Sequence, residues 1–304
     1  MLVRHFDFPA AKWEAALSWP HPRLRAEVHA YLGFRLGTGS ALPWQEIPGG
    51  AVTLLIGLDQ RHPVWCSGLD DATTRTPYTS FVSGLSTRSS WVVEPADGAH
   101  CVAVVMAPWA AFAIFGTAMN ELTGKIVDPA DLPGDRVRRL AGALAARPDW
   151  EQRFRLLDEV LGEWIGGADA WSTRVVRAHG ALIRTVGAGG SIPVQRLAAE
   201  AGWRPRQLEY RFIEQIGVSP KAMARIVRFR RAALMLADGL RPANTSTNCG
   251  FSDQAHLTRE FKAMAGFTPN RFRQKAELAA AGSPIYTASY AAARRTKTLM
   301  LPAA

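Results

Sequence analysis

Side chains able to do chemistry are sparse in the first half of this 304-residue chain. Cys66, Cys101 and Cys249 are widely spaced and form no C-x-x-C pair, so neither a disulfide framework nor a zinc ribbon is expected, and a reducing cytoplasm suits them. His62 with Cys66, and His100 with Cys101, bring metal-ligand types together without a clear fourth ligand, so no metal is expected. Gly37-Thr38-Gly39-Ser40-Ala41-Leu42 opens like a dinucleotide fingerprint but has Leu at the third glycine, so no cofactor is expected either. No G-x-S-x-G or H-E-x-x-H run occurs, Asp70-Asp71 reads as a turn, and an enzyme is not expected. Eight of the ten tryptophans lie here, and Trp44, Trp65, Trp91 and Trp109 are candidates for a pocket taking an apolar or cationic effector. Ordinary core packing is the alternative for each.

The second half offers a different chemistry. In residues 193–217, PVQRLAAEAGWRPRQLEYRFIEQIG, a short helix with Val194, Leu197, Ala198 and Ala201 inward stops at Gly202, and a second opens at Pro205. Leu208, Phe212 and Ile216 repeat at fours and face inward, leaving Arg206, Glu209, Tyr210 and Arg211 on the outer faces. Residues 243–266, ANTSTNCGFSDQAHLTREFKAMAG, repeat the scheme: a turn at Gly250, capping candidates Ser252 and Asp253, then Leu257, Phe261 and Met264 inward. The copies lie about 49 residues apart, share L-x-x-x-F, and are followed by Gly217-Val218-Ser219-Pro220 and Gly266-Phe267-Thr268-Pro269. Between them Ser219-Pro220 opens a long helix through Met223, Ile226, Val227, Leu234 and Leu236, ending near Gly239. The pattern is two helix-turn-helix units, each with a recognition helix, joined by a long helix.

The elements that must carry these residues divide the chain. Its formal net charge is +10, yet residues 1–165 hold 15 Lys and Arg against 18 Asp and Glu, while residues 166–304 hold 21 against 8. The positive excess travels with the helix-turn-helix units, which points to double-stranded DNA as partner. In the first half, residues 52–56, 79–82, 90–93 and 101–106 are predicted strands, and 135–146 and 150–165 amphipathic helices. The fold class is therefore an α+β N-terminal domain followed by an all-α domain. The predicted divisions are a sensor or assembly domain at 1–165, a linker at 166–172, the DNA-binding domain at 173–275 and a mobile tail at 276–304. The basic Arg294-Arg295-Thr296-Lys297 of that tail could add phosphate contact. Gly98 to Asn120 carries no charge, but Pro108 splits it into a strand and a buried helix from Trp109 to Met119, so no membrane partner is expected.

Gly250 to Arg273, GFSDQAHLTREFKAMAGFTPNRFR, together with Gly217-Val218-Ser219-Pro220, strongly resembles the AraC/XylS family of transcription regulators over about the last 100 ordered residues. The resemblance implies that the N-terminal ends of both recognition helices read bases in successive major-groove segments. The matching positions are Arg206, Glu209 and Tyr210 in the first, and Gln254, Ala255, Thr258 and Arg259 in the second. Their chemistry agrees: Arg forks onto guanine, Gln onto adenine, and an Ala or Thr methyl meets thymine. This chain departs from the family pattern at Tyr210, usually Arg, and at Arg204, usually a capping Ser. Asn244-Thr245-Ser246-Thr247-Asn248 replaces an apolar first helix, which predicts a second unit that is less rigid or orders on DNA. The first half more loosely resembles a sensor-like domain of unassigned function, through Pro48-Gly49-Gly50, Ala107-Pro108-Trp109 and Glu121-Leu122-Thr123. The implied protein is a transcription regulator under small-molecule control, a possible homodimer, and a partner of RNA polymerase if it activates. The alternatives are a constitutive regulator whose first domain only dimerises, and a catalytic first domain fused to a DNA-binding module.

Overall fold

The computed structural model describes residues 2–302 except 9–12, 38–43, 60, 69–73, 90, 97, 168–170 and 283–299. In the first half, ten strands are followed by helices with one short strand among them: β1 (Val3–Phe8), β2 (Trp13–Ser18), β3 (Val28–Leu36), β4 (Trp44–Glu46), β5 (Val52–Gly57), β6 (Val64–Gly68), β7 (Arg75–Tyr78), β8 (Ser80–Ser83), β9 (Trp91–Pro95), β10 (His100–Met106), α1 (Pro108–Phe115), α2 (Met119–Leu122), β11 (Ile126–Val127), α3 (Arg136–Ala145) and α4 (Trp150–Gly166). One sheet runs β1-β2-β3-β10-β5-β8-β11. The other runs β4-β9-β6-β7 and takes β12 (Met300–Pro302) beside β4. Every pairing is antiparallel.

Strand β10 shows why the uncharged stretch is not a membrane span. Cys101, Ala103 and Val105 join one apolar cluster, with Leu32, Phe34, Trp44 and Phe81, while Val102, Val104 and Met106 face a second that includes the helices. Successive side chains on a strand point to opposite faces, so a strand buried on both sides reads as a continuous apolar run. No helix of the described residues is long and apolar enough to cross a membrane. After Pro108, α1 ends at Phe115 because Gly116 turns left-handed at φ +62°, so the helix predicted to reach Met119 is two pieces, α1 and α2.

Asp149 caps α4 by accepting from Gln152 N at 2.8 Å. The helix then buries Trp150, Phe154, Leu157, Leu161 and Ile165 against the larger sheet. Trp150 lies directly on strand β3: a Cβ at Gly33 would sit 2.4 Å from its ring carbons, so the close approach needs glycine.

The second half is helical: α5 (Thr173–Gly187), α6 (Val194–Ala201), α7 (Pro205–Ile216), α8 (Pro220–Ala237), α9 (Pro242–Asn248), α10 (Gln254–Ala265) and α11 (Pro269–Gly282). It is not a separate globule. One apolar cluster runs from Val104, Met106 and Ile114 to Leu182, Phe212 and Ile216. At the junction the Trp109 ring meets that of His179 edge-on at 5.0 Å.

The tail expected to be mobile from residue 276 is in part ordered. Helix α11 continues to Gly282 through Lys275-Ala276-Glu277-Leu278-Ala279-Ala280-Ala281, all good helix formers, with Ala276 buried, and β12 pairs with β4. The basic cluster at 294–297, Asp70-Asp71, residues 168–170 of the predicted linker and most of residues 37–42 lie outside the described residues.

Candidate nucleic-acid interface

The first helix-turn-helix is α6, a turn, and α7. Gly202 adopts φ +66°, which lets the chain reverse after Ala201, and Pro205 opens α7. Leu208, Phe212 and Ile216 are fully buried. Arg206, Glu209, Tyr210 and Arg211 are all exposed, Tyr210 by 66%. Arg211 pairs with Glu214 at 2.9 Å and lies 5.7 Å from the Tyr210 ring centroid, which stiffens one edge of this face. Arg204 stands at the N-cap in extended conformation and its side chain makes no capping bond, so α7 opens without the side-chain acceptor that most such helices carry.

The second unit, α9 and α10, shows how a hydroxyl-rich segment becomes helical. Thr245 and Ser246 are buried, yet Thr245 Oγ1 donates to Arg241 O at 3.0 Å and Ser246 Oγ to Ala243 O at 2.7 Å. Each buried hydroxyl is thus satisfied by its own helix, which offsets the cost of burying it. Gly250 makes the turn at φ +72°. Asp253, not Ser252, caps α10, accepting from His256 N at 2.6 Å, and this bond holds its carboxyl below the usual range. Gln254, Ala255 and Arg259 are exposed, Thr258 is half-buried and its Oγ1 donates back to Gln254 O at 2.9 Å. All seven residues matched to base reading therefore lie on α7 or α10, and all but Thr258 are exposed.

Helix α8 joins the two helix-turn-helix units. Ser219 caps it, accepting from Ala222 N at 3.2 Å. On its other side Arg225 Nε meets Glu260 Oε1 of α10 at 3.0 Å, Arg228 Nη2 meets Glu260 Oε2 at 3.6 Å, and Phe229 packs on Phe261 with centroids 4.7 Å apart. Burial also lowers Arg230, to about 10. Both recognition helices end on a left-handed glycine, Gly217 at φ +99° and Gly266 at φ +85°, and in both a hydroxyl residue and a proline open the next helix.

Among the described residues, three hydrogen bonds reach these helix ends from the first half. Thr123 Oγ1 donates to Gly217 O at 2.7 Å, Ser89 N to Met264 O at 2.6 Å, and Gln45 Nε2 to Ala265 O at 3.1 Å. Each satisfies a carbonyl that a helix terminus leaves unpaired. Gln45, Ser89 and Thr123 were not among the candidates from sequence, because no local periodicity marks a side chain that meets a partner more than 90 residues away.

Of the four candidate tryptophans, Trp44, Trp65 and Trp109 do not converge, and the side chain of Trp91 lies outside what the structure describes. Trp44 is buried between the two sheets, and Trp109 belongs to the cluster on the helical side of the larger sheet, lining a groove of about 600 Å³ against α5. Trp65 is half-buried under the Arg75 guanidinium, 5.7 Å from its centroid, and Trp91 opens β9 opposite Gly68. Among the described residues no three His, Cys, Asp or Glu side chains gather as metal ligands. Burial pushes the Cys66 and Cys101 thiols up to about 12, and His62 is instead paired with Asp59 at 3.1 Å.

Comparison with known proteins gives the same domain. Residues 197–275 match the family described as a helix-turn-helix domain. The arabinose operon regulatory protein of Escherichia coli (strain K12) is 30% identical over 91 residues, 30% of this chain and 31% of that protein. The uncharacterized HTH-type transcriptional regulator YbfI of Bacillus subtilis (strain 168) is 32% identical over 67 residues, 22% of this chain and 24% of that protein. The matched region thus spans between a quarter and a third of these relatives' length. Among solved structures, a probable AraC family transcriptional regulator from Rhodopseudomonas palustris CGA009 is 28% identical with TM-score 0.32, covering 34% of this chain and 98% of that one. ToxT from Vibrio cholerae O395 is 8% identical with TM-score 0.43, covering 80% and 95%.

Proposed function

The helix-turn-helix domain of this chain is that of an AraC/XylS-type regulator, and on that premise we propose that the protein is a sequence-specific transcription regulator whose first half governs its two DNA readers. The observation that carries this is the pair of exposed recognition-helix faces on either side of α8, with α10 tied to α8 by Arg225, Glu260 and Arg228. Two such faces suit adjacent major-groove segments about one turn, ~34 Å, apart. A mobility-shift titration on the duplex upstream of its own gene tests it. Retention that discriminates this duplex from scrambled DNA at physiological salt is expected. Sequence-independent affinity that vanishes at that salt refutes it.

Control by a small-molecule effector is supported by the three hydrogen bonds from Gln45, Ser89 and Thr123 to the ends of α7 and α10. Strand β4 is the natural relay. Trp44 points between the sheets while Gln45, its neighbour on the opposite face, holds Ala265 O. Next to it, the Glu46 carboxyl accepts from Ser83 Oγ at 3.0 Å, and burial pushes it up to about 7. A ligand favouring one arrangement of β4 shifts the readers by its difference in affinity for the two arrangements. Trp44, Trp65, Trp91 and Trp109 stay as candidate effector contacts, reached from more than one site. Replacing Gln45 and Thr123 by Ala should change DNA affinity without touching a base-reading residue; unchanged affinity in the double variant removes the relay. The proposal extends to a homodimer, to contact with RNA polymerase if the protein activates, and to a cytoplasmic location. Domain limits at 1–165, 166–172 and 173–275 belong to the same proposal.

A further inference from the structure

On the outer face of the larger sheet, beneath the start of α4, lies a cavity of about 410 Å³ that neither DNA reading nor the four candidate tryptophans use. Its floor is built rather than accidental. The Trp150 ring rests on Gly33, the His100 ring meets it edge-on with centroids 5.2 Å apart, and the Arg153 guanidinium lies 4.8 Å from its centroid. Arg153 is only 7% exposed. Its Nε donates to Leu144 O at 3.2 Å, and among the described residues no protein acceptor meets its other nitrogens. Arg35, on β3, lines the same cavity and forms no ion pair among the described residues.

Two guanidiniums share this space, and each raises the cost of a further positive charge beside it. Arg153 is lowered first by burial and then by Arg35, and His100 is pushed down to about 4 by burial and by both arginines. His100 is therefore neutral at physiological pH, and its buried Nε2 has no hydrogen-bond partner. The cavity also holds two carboxylates, and each accepts hydrogen bonds from outside the arginine pair. Glu14 accepts from Trp150 Nε1, and Asp149 accepts from Gln152 N and Nε2. What remains unmatched is donor capacity from two planar forks, facing a site whose formal charge is near zero.

We propose that this cavity binds a small molecule through a single carboxylate held by Arg35 and Arg153. A planar monoanion matches guanidinium geometry in a two-point fashion. A phosphate dianion would meet Glu14 and Asp149 with a second negative charge. The inference supplies a ligand class for the effector-controlled first half proposed above, and rests on that reading for its regulatory consequence only.

The test uses the full-length protein, with cyclohexanecarboxylate as probe, the isosteric neutral cyclohexanecarboxamide as control, and inorganic phosphate as the rival anion, read by isothermal titration. The carboxylate is expected to bind at least tenfold more tightly than the amide or phosphate. Arg35→Ala, at an exposed position, should weaken it at least tenfold while leaving the circular dichroism spectrum unchanged, and Arg35→Glu should abolish it. Arg153→Lys keeps the charge in the core and should give an intermediate loss. Equal binding of carboxylate and amide, preference for phosphate, or wild-type affinity in Arg35→Ala overturns the proposal. The regulatory reading fails separately: carboxylate binding that depends on Arg35 while DNA affinity stays constant upholds the site and removes its control of the readers.

Discussion

The first helix of one helix-turn-helix unit is apolar, with Leu197, Ala198 and Ala201 buried, whereas that of the other buries Thr245 and Ser246. Their recognition helices differ in the opposite sense, since α7 starts without a side-chain cap and α10 starts on Asp253. Each unit is therefore locally weak where the other is strong. The shared features are the Leu and Phe at the centre of each recognition helix and the left-handed glycine that ends it. The difference teaches that the two units keep the packing core in common, while their helix starts and first helices differ and backbone groups find other partners. Support from outside also differs: α7 is held by Thr123, after α2, and α10 by Ser89 and by Gln45 on β4.

The strongest test of that equivalence is to empty each core. Phe212→Ala and Phe261→Ala, both at fully buried positions, should each cost about 3–5 kcal/mol in urea unfolding. A much smaller loss in the second unit would break the parallel. Next come the readers. Arg206→Ala and Gln254→Ala should each relax discrimination at one base step by about 1–3 kcal/mol, scored by selection from a randomised duplex pool, and at positions about one turn apart. An unchanged profile for either variant removes that residue from the interface.

Cap exchange sharpens the comparison further. Arg204→Ser should give the first unit the acceptor it lacks and stabilise it by ~0.5–1 kcal/mol, and Asp253→Ala should destabilise the second. The acidic limb checks the sign. Asp253 is held below its usual value in the folded state by the His256 amide, so its stabilisation is present above the unfolded carboxyl value, about pH 4, and fades as pH falls through the folded one. Wild type and Asp253→Ala should therefore converge in melting temperature on acidification. The smallest effect belongs to Ser246→Ala. Loss of one back-bonded hydroxyl and gain in helix propensity nearly offset, leaving stability within about 0.5 kcal/mol of wild type.

The helical half was legible because its signals are short-range: apolar residues at fours, a glycine at each turn, a proline opening each next helix. The sheet half was less so. Val3-Arg4-His5-Phe6-Asp7-Phe8 forms an edge strand, where polar side chains can face water and blur the alternation. Strand β10 was readable from its own composition, but its pairing with β3, with Val102 opposite Gly33, joins segments far apart in sequence. Propensity ranks residues 244–248 as poor helix formers because it weighs an isolated helix, whereas in the fold the hydroxyls bond backwards along the helix and Cys249 and Phe251 are buried at the turn into α10. The Arg35–Arg153 cavity left no trace in sequence, since its residues come from β1, β2, β3, β10, the end of α3 and the start of α4.

The apolar cluster that passes without a break from the larger sheet through Trp109 to His179 and Phe212 limits how this protein can be rearranged. A reader that docks on its neighbour only through polar contacts could be cut out and grafted elsewhere as a cassette. Here, severing the chain near residue 168 would expose Trp109, Ile114 and Phe115 on one fragment and the faces of α5 and α7 on the other. Chimeras that borrow only the DNA-binding helices should therefore aggregate unless α1 and α2 travel with them.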